Sequence, residues 1–148
     1  MSRIDFDPDV LRDLLDDIFG PASLSELSRI SGGQSNPTYF VTHGDRRMVL
    51  RKQPAGDILR GAHAIDREYR VMEALGGQAV PVPRMIHYHD DATALGTPFY
   101  LMERLDGRVF DDCSLPGMAR DARHAIYMAM ARAMAQMHAV DLDAAGLR

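Results

Sequence analysis

Features that would place this sequence in several common classes of protein are scarce or absent. The 148 residues include no tryptophan and a single cysteine, Cys113, which excludes an internal disulfide framework. No apolar run approaches ~18 residues, so we expect no membrane-spanning segment. The net charge of −4 argues against bulk binding of nucleic acid, whose phosphates require basic protein surfaces. The opening segment MSRIDFDPDV lacks the apolar core of a secretory signal, and we expect a cytoplasmic protein.

The rest of the composition, with 46% apolar and 26% charged residues, is typical of one folded domain. Hydrophobic periodicity and turn residues predict helices at 8–19, 64–75 and 120–139, and strands at 24–30, 38–41, 48–51, 85–89 and 98–103. Short hairpins and one inserted helix predict an α+β fold built on a five-stranded antiparallel sheet. The sequence His43-Gly44-Asp45 is predicted to form a hairpin turn that is not one of the two-residue types, and 90–97 another turn.

A glycine-containing turn is the first candidate for a binding site. In the segment SGGQSN, Gly32 and Gly33 would let the backbone approach a ligand closely. Successive backbone N–H groups and the Ser35 hydroxyl could then cradle a phosphate. The alternative is an ordinary β-turn, since glycine-rich turns are common.

The strand VLRK supplies a second candidate. Period-two alternation places Val49 and Arg51 on one face of this strand. Leu50 and Lys52 then lie on the other face. An apolar residue beside a cation suits a base and a phosphate lying along the strand, whereas the alternative is a solvated basic strand end. A buried cation needs a carboxylate, and Glu68 of the next helix could supply it, unless it pairs only along its own helix.

The segment PFYLMERLDG at 98–107 is the third candidate, because an apolar strand there runs into a glycine break. An extended backbone at this point would leave carbonyl and N–H groups free to pair with an adenine edge. The alternative is the last strand of the sheet and its turn. Two histidines, His87 and His89, share a strand face, but no third region supplies further metal ligands.

In this order, the candidate segments resemble the small lobe of a protein-kinase-like fold. More specifically, the chain resembles the aminoglycoside phosphotransferase and choline kinase-like family of small-molecule kinases, and it looks most like the kinase-like domains associated with acyl-CoA dehydrogenases. The resemblance rests on GGQSNPTYF, VLRKQPAG, AHAIDREYRVMEAL, VPVPRM, GTPFYLMERLDGRVF and MAQMHAVDL. It implies a kinase-like N-terminal lobe at 1–105, then a hinge linker and the first helix of the C-terminal lobe at 106–148.

The resemblance implies a role for each candidate residue in binding ATP. Arg51 would bind phosphate where many relatives have lysine, Glu68 would pair with it, and Lys52 is the alternative cation on the wrong face. The turn would cover the phosphates, Met102 would back the adenine pocket, and the backbone near Glu103 would contact adenine. The complete implied site is Gly32, Gly33, Ser35, Asn36, Val49, Arg51, Glu68, Met102, Glu103 and Leu105.

The chemistry of the resembled family depends on residues that this sequence lacks. The full enzyme would move the γ-phosphoryl of ATP to a small-molecule hydroxyl, with Mg²⁺, by means of a His-Gly-Asp catalytic loop and a later metal-binding Asp in the C-terminal lobe. The one His-Gly-Asp here, at 43–45, comes too early and is interpreted as a turn. We therefore expect no catalytic or metal-binding residue in this chain and no activity from it alone.

The predicted helix at 120–139 is rich in methionine and alanine and is apolar nearly all round, which is typical of a buried helix. Little else in the sequence could bury it, so we expect the chain to be a fragment of a larger kinase. The alternative is a non-catalytic nucleotide-binding or interaction module that dimerises or docks through this helix.

Overall fold

The computed structural model describes residues 4–30, 36–56 and 64–147, and its elements confirm the predicted α+β class. The predicted phosphate-covering residues Gly32, Gly33 and Ser35 lie outside the described residues. The elements are α1 (Pro8–Phe19), β1 (Leu24–Arg29), β2 (Thr38–His43), β3 (Arg46–Lys52), α2 (Ile65–Gly76), β4 (Met85–His89), α3 (Ala92–Leu95), β5 (Phe99–Glu103) and α4 (Arg120–His138).

The five strands form one sheet in the order β1-β2-β3-β5-β4, and every neighbouring pair is antiparallel. This arrangement confirms the predicted five-stranded antiparallel sheet. Strand β3 lies at its centre, between β2 and β5, so its two faces are the best covered in the sheet. Met48, Val49 and Leu50 are accordingly all buried.

The hairpin between β2 and β3 corrects the sequence prediction. Its loop contains only Gly44 and Asp45, because His43 is the last residue of β2 and pairs with Arg46. Gly44 has φ = 59°, as the first central residue of a type II′ turn requires, and an added Cβ would lie 3.1 Å from the Cβ of Ala22. The prediction failed because His43 was counted as a turn residue, whereas its side chain is buried.

Helix α1 covers one face of the sheet. Asp7 caps it by accepting a hydrogen bond from the N–H of Asp9 at 2.9 Å, and Pro8 occupies the first helical position, where its missing N–H costs nothing. Spacing at i and i+4 points Leu11 and Leu15 into the core. The core on this face comprises Leu11, Leu15, Tyr39, Val41, Met48, Leu50, Leu95, Phe99 and Leu101.

The segment after β4 was predicted as a turn, but it contains the single helical turn α3. Asp91 caps it by accepting from the N–H of Thr93 at 2.8 Å, and Gly96 ends it with φ = 82°. The turn reverses the chain while burying Leu95 in the core beneath α1. A pattern four residues long is too short for helical periodicity to be visible in the sequence.

Helix α4 lies apart from the sheet and has no buried residue. Met130, Met134 and Met137 are each at least half exposed. The part of the chain that the structure describes buries none of this helix's residues, although the composition of the helix is typical of a buried one. None of the described helices combines the length and hydropathy needed to cross a membrane.

Candidate functional site

The registers of β3 and β5 place three predicted site residues, Val49, Arg51 and Met102, on one face of the sheet, whereas the Glu103 side chain, paired with Met48, lies on the other face. Arg51 lies between Thr38 on β2 and Tyr100 on β5, and directly paired residues share a face. Two positions along the same face, Val49 pairs with Met102. The face opposite α1 therefore has a polar end at Arg51 and an apolar end at Val49.

Lys52 points to the other face, as alternation predicts. Its side chain is 1% exposed and its Nζ donates to the Leu95 carbonyl at 2.9 Å and to Asp5 Oδ2 at 3.2 Å. The ammonium also lies 5.1 Å from the centre of the Phe6 ring. The Tyr39 hydroxyl donates a hydrogen bond to the same Asp5 carboxylate. Lys52 is thus part of the core beneath the N-terminal segment and is directed away from the candidate site.

Arg51 and Glu68 form the ion pair that the sequence predicts. Arg51 Nε donates to Glu68 Oε2 at 2.8 Å, and Nη2 donates to Oε1 at 3.4 Å. Nη1 donates to the Thr38 hydroxyl at 3.2 Å. Burial alone would lower the pKa of Arg51, but the hydrogen bonds to Glu68 raise it overall, so the guanidinium remains charged. The pair is therefore formed without any ligand.

Two further donors hold the Glu68 carboxylate. Asn36 Nδ2 donates to Oε1 at 2.9 Å, and the Tyr100 hydroxyl donates to Oε2 at 3.2 Å. Burial, followed by the charge of Glu68, raises the pKa of Tyr100, so this hydroxyl stays protonated and donates. Asn36 is 2% exposed. Sequence analysis missed Thr38 and Tyr100; only the strand register, which places both beside Arg51, could have indicated them.

The unused donors of Arg51 define what the site can bind. A guanidinium carries one N–H on Nε and two on each Nη, in a rigid planar fork. Glu68 takes Nε and one N–H of Nη2, while Thr38 takes one N–H of Nη1. Among the described residues, one N–H on each Nη has no acceptor, and these two charged donors can bind an oxyanion. Arg51 can therefore hold Glu68 and a second oxyanion at the same time.

Helix α2 positions Glu68 through an aromatic cluster. The Tyr69 ring lies 5.2 Å from that of Tyr88 on β4 and 6.0 Å from that of Tyr100 on β5. These separations are typical of favourable aromatic pairs. Because Tyr69 is the next residue along the helix, its packing fixes the height of Glu68 over β3 and β5.

The end of β5 and the chain directly after it contain the residues predicted to contact adenine, Glu103 and Leu105. The N–H of Glu103 donates to the Arg84 carbonyl at 2.9 Å, which extends the pairing with the segment before β4. Leu105 is 60% exposed. Asp106 accepts two hydrogen bonds from Arg47, at 2.9 and 3.0 Å, in a pair that is largely exposed. The arrangement leaves the chain from 104 onward outside the sheet and beside the apolar end of the face.

No candidate metal centre is found within residues 4–30, 36–56 and 64–147, where no three His, Cys, Asp or Glu side chains are grouped to hold an ion. His87 and His89 lie with ring centres 6.0 Å apart, and His89 stacks on Phe99. Burial lowers the pKa of His87, as does the nearby His89. The described residues therefore give no ligand set for Mg²⁺, and we assign no step to a metal ion held by them.

Comparisons with known proteins agree with this geometry. The model of the phosphotransferase enzyme family, APH, matches residues 26–148. Mouse acyl-CoA dehydrogenase family member 10 is 45% identical over 141 residues, which make up 94% of this chain and 13% of the mouse protein. A solved structure from Ralstonia eutropha, assigned to the aminoglycoside phosphotransferases, is 40% identical with a TM-score of 0.79, and the match covers 96% of this chain and 41% of that chain.

A more distant structure shares the fold. It is a thermostable mutant of aminoglycoside phosphotransferase APH(4)-Ia in ternary complex with AMP-PNP and hygromycin B, 22% identical with a TM-score of 0.60. The match covers 90% of this chain and 40% of that chain. The chain thus spans less than half of each solved relative and a small part of the mouse one. The family resemblance expected from the sequence is confirmed, and the chain belongs to the APH phosphotransferase enzyme family.

Proposed function

We propose that this chain is the nucleotide-binding part of a phosphotransferase that moves the γ-phosphoryl of ATP to the hydroxyl of a small molecule. The observation that carries the proposal is the preformed Arg51–Glu68 pair, whose guanidinium keeps one N–H on each Nη for an oxyanion. The related APH(4)-Ia structure, with its bound AMP-PNP, supports a nucleotide as the source of that oxyanion.

In this proposal the two ends of the sheet face bind different parts of the nucleotide. The phosphates meet the free edge of Arg51, while the segment containing Gly32, Gly33 and Ser35 covers them. The base lies on Val49 and Met102, which are paired side by side on the neighbouring strands β3 and β5. Its polar edge meets the backbone of Glu103 and Leu105, in the hinge between an N-terminal lobe at 1–105 and a linker and helix at 106–148.

We also propose that these residues alone transfer no phosphoryl group. The one His-Gly-Asp sequence lies in the β2–β3 hairpin, where His43 Nε2 contacts Asp16 Oδ1 at 2.7 Å. His43 is 2% exposed and lies on the α1 side of the sheet, opposite Arg51. That sequence is therefore structural and cannot serve as a catalytic loop for a substrate bound on the other face. In this proposal Mg²⁺ arrives with the nucleotide, and its protein ligands lie outside this chain.

The proposal is tested by calorimetric titration of the purified chain with ATP, ADP, AMP and adenosine. Because Arg51 contacts phosphate, affinity should rise with the number of phosphates, and ATP should bind at least about tenfold more tightly than AMP, one charge-assisted hydrogen bond being worth about 1.5–3 kcal/mol. GTP serves as the matched control for recognition of the base. Equal affinity for adenosine and ATP, or no binding of either, would contradict the proposed function.

Turnover is tested separately by incubating the chain with Mg-ATP and following release of ADP and phosphate. We expect a rate no higher than that of Mg-ATP alone, since the carboxylate that the described residues place beside Arg51, that of Glu68, is already held by hydrogen bonds from Arg51, Asn36 and Tyr100. Reproducible ATP consumption that disappears in the Arg51→Ala variant would show that the chain contains its own catalytic residues.

A second candidate function rests on a different observation, the exposure of Met130, Met134 and Met137 on α4. Flexible, polarizable methionine side chains are typical of helix faces that bind other proteins. An interaction module of this kind would dimerise or dock through α4 whether or not nucleotide is present. Sedimentation of the chain over a range of concentrations, with and without ATP, separates the two functions, because only the interaction module predicts association that ignores nucleotide.

A further inference from the structure

Asn36 is connected to the Arg51–Glu68 pair by two separate hydrogen bonds. Its side-chain Nδ2 donates to Glu68 Oε1 at 2.9 Å. Its backbone carbonyl accepts from the Thr38 hydroxyl at 3.0 Å, and the same hydroxyl accepts from Arg51 Nη1 at 3.2 Å. With the Arg51–Glu68 contact at 2.8 Å, these bonds close a ring of four residues. Asn36 therefore cannot move without disturbing both partners of the ion pair.

The position of Asn36 in the sequence gives this ring its significance. Asn36 directly follows the glycine-containing segment predicted to cover phosphate, and it is 2% exposed. A nearly buried amide that already donates to a carboxylate is poorly placed to touch a ligand itself. The ring instead holds Asn36, the described residue next to that segment in the sequence, against the cation that would bind the same phosphates.

We propose that Asn36 is a positioning residue that acts through Glu68, and that it orients Arg51 for phosphate instead of contacting phosphate itself. The proposal rests on the nucleotide-binding function proposed above. Asn36 and Tyr100 each donate to a different oxygen of Glu68, so the carboxylate is fixed from two sides and presents both oxygens to Arg51. Fixing the carboxylate fixes the plane of the guanidinium and with it the direction of the free Nη1 and Nη2 N–H groups.

The amide of Asn36 matters because its N–H donates a hydrogen bond to Glu68. Aspartate has nearly the same shape but, when ionised, can only accept hydrogen bonds. In Asn36→Asp, two carboxylates would face each other at hydrogen-bond distance, and the like charge raises the pKa of the new carboxyl above its usual ~3.9. Below that raised pKa the neutral acid donates to Glu68 as the amide does. Above it, the two anions repel and the donor is lost.

The test compares ATP affinities of the wild-type chain and the Asn36→Asp variant from pH 5 to pH 8, as a ratio at each pH so that ionisation of the nucleotide cancels. We expect the variant to bind within about threefold of wild type at pH 5 and about tenfold or more weakly at pH 8, since the donor's loss removes one hydrogen bond to a charged group. Asn36→Ala is the control for lost volume and lost donor without charge, and its ratio should not vary with pH.

The outcomes separate this inference from the proposed function. If wild type binds ATP, Arg51→Ala does not, and the Asn36→Asp ratio is constant from pH 5 to pH 8, the function stands and Asn36 is not a positioning residue. If Asn36→Asp binds as tightly as wild type at every pH, Asn36 has no role in orienting Arg51. If the wild-type chain binds no nucleotide, both proposals are overturned. A ratio that falls with rising pH only in Asn36→Asp supports the inference.

Discussion

Replacing Arg51 with alanine should weaken ATP binding by about 10- to 100-fold, the effect of losing hydrogen bonds from a charged donor to phosphate. The fold should survive, because Glu68 keeps its hydrogen bonds from Asn36 and Tyr100. Calorimetric titration measures the affinity, and thermal unfolding of the ligand-free variant measures the stability. The two measurements together distinguish a missing contact from a damaged protein.

The matched control is Arg47→Ala. Arg47 lies on the same strand and also forms a two-point ion pair, with Asp106, but that pair is largely exposed. Exposed pairs contribute little, so we expect its ATP affinity to change by less than about twofold. Arg51→Lys should be intermediate, since an ammonium keeps the charge and loses the planar fork. Equal losses in Arg47→Ala and Arg51→Ala would show that neither residue contacts phosphate specifically.

Replacing Asp5 with alanine should lower the free energy of unfolding by about 3 kcal/mol. The change leaves the Lys52 ammonium, 1% exposed, without its counter-charge, and removing one partner of a buried pair costs roughly 3–5 kcal/mol. We place the effect at the lower end because Asp5 itself is 30% exposed. Urea unfolding midpoints measure the loss. The control Asp13→Ala removes an exposed carboxylate that pairs with Arg12, and should cost less than about 0.5 kcal/mol.

The double variant Asp5→Ala, Lys52→Met should recover much of this stability, since it removes the unpaired charge and keeps an unbranched apolar stem.

Stability of the wild-type chain should also depend on pH. Although burial raises the pKa of Asp5, hydrogen bonds from Tyr39 and Lys52 lower it below its usual 3.8. A carboxyl with a lowered pKa in the folded state stabilises the fold above pH 3.8, and this contribution is lost as the pH falls towards the lowered value. Equal urea midpoints for the Asp5 and Asp13 variants would contradict the proposed role of the pair.

Much of the fold follows from local sequence patterns. The cap at Asp7, the alternation in β3 and the helical spacing of apolar residues in α2 are each encoded within a few residues. The elements that they predict are present. The pairing of Arg51 with Glu68 was implied by the family resemblance, while the residues alone left open whether Glu68 pairs along its own helix. These features share one property: the residues that specify them are neighbours in the chain or partners of opposite charge.

The features that were missed depend on contacts between distant parts of the chain. Asn36 and Tyr100 each lie 32 residues from Glu68, and Lys52 lies 47 residues from Asp5. Strand alternation shows that Lys52 and Arg51 lie on opposite faces of the sheet, but it does not show which carboxylate pairs with Lys52. The ring around Asn36 could not be predicted for the same reason, because it needs the register of β2 against β3.

The shortness of the β2–β3 loop determines which cation serves the binding face. In β3, three apolar residues are followed by two basic ones. If β3 paired with β2 one residue out of register, apolar side chains would still be buried on both faces of the sheet, but Lys52 would take the face that Arg51 now occupies. The pattern of the strand therefore does not exclude the shifted pairing by itself. The two-residue loop, which depends on Gly44 at φ = 59°, allows one register only. A glycine at the opposite end of the β2–β3 hairpin thus selects the residue available to a phosphate.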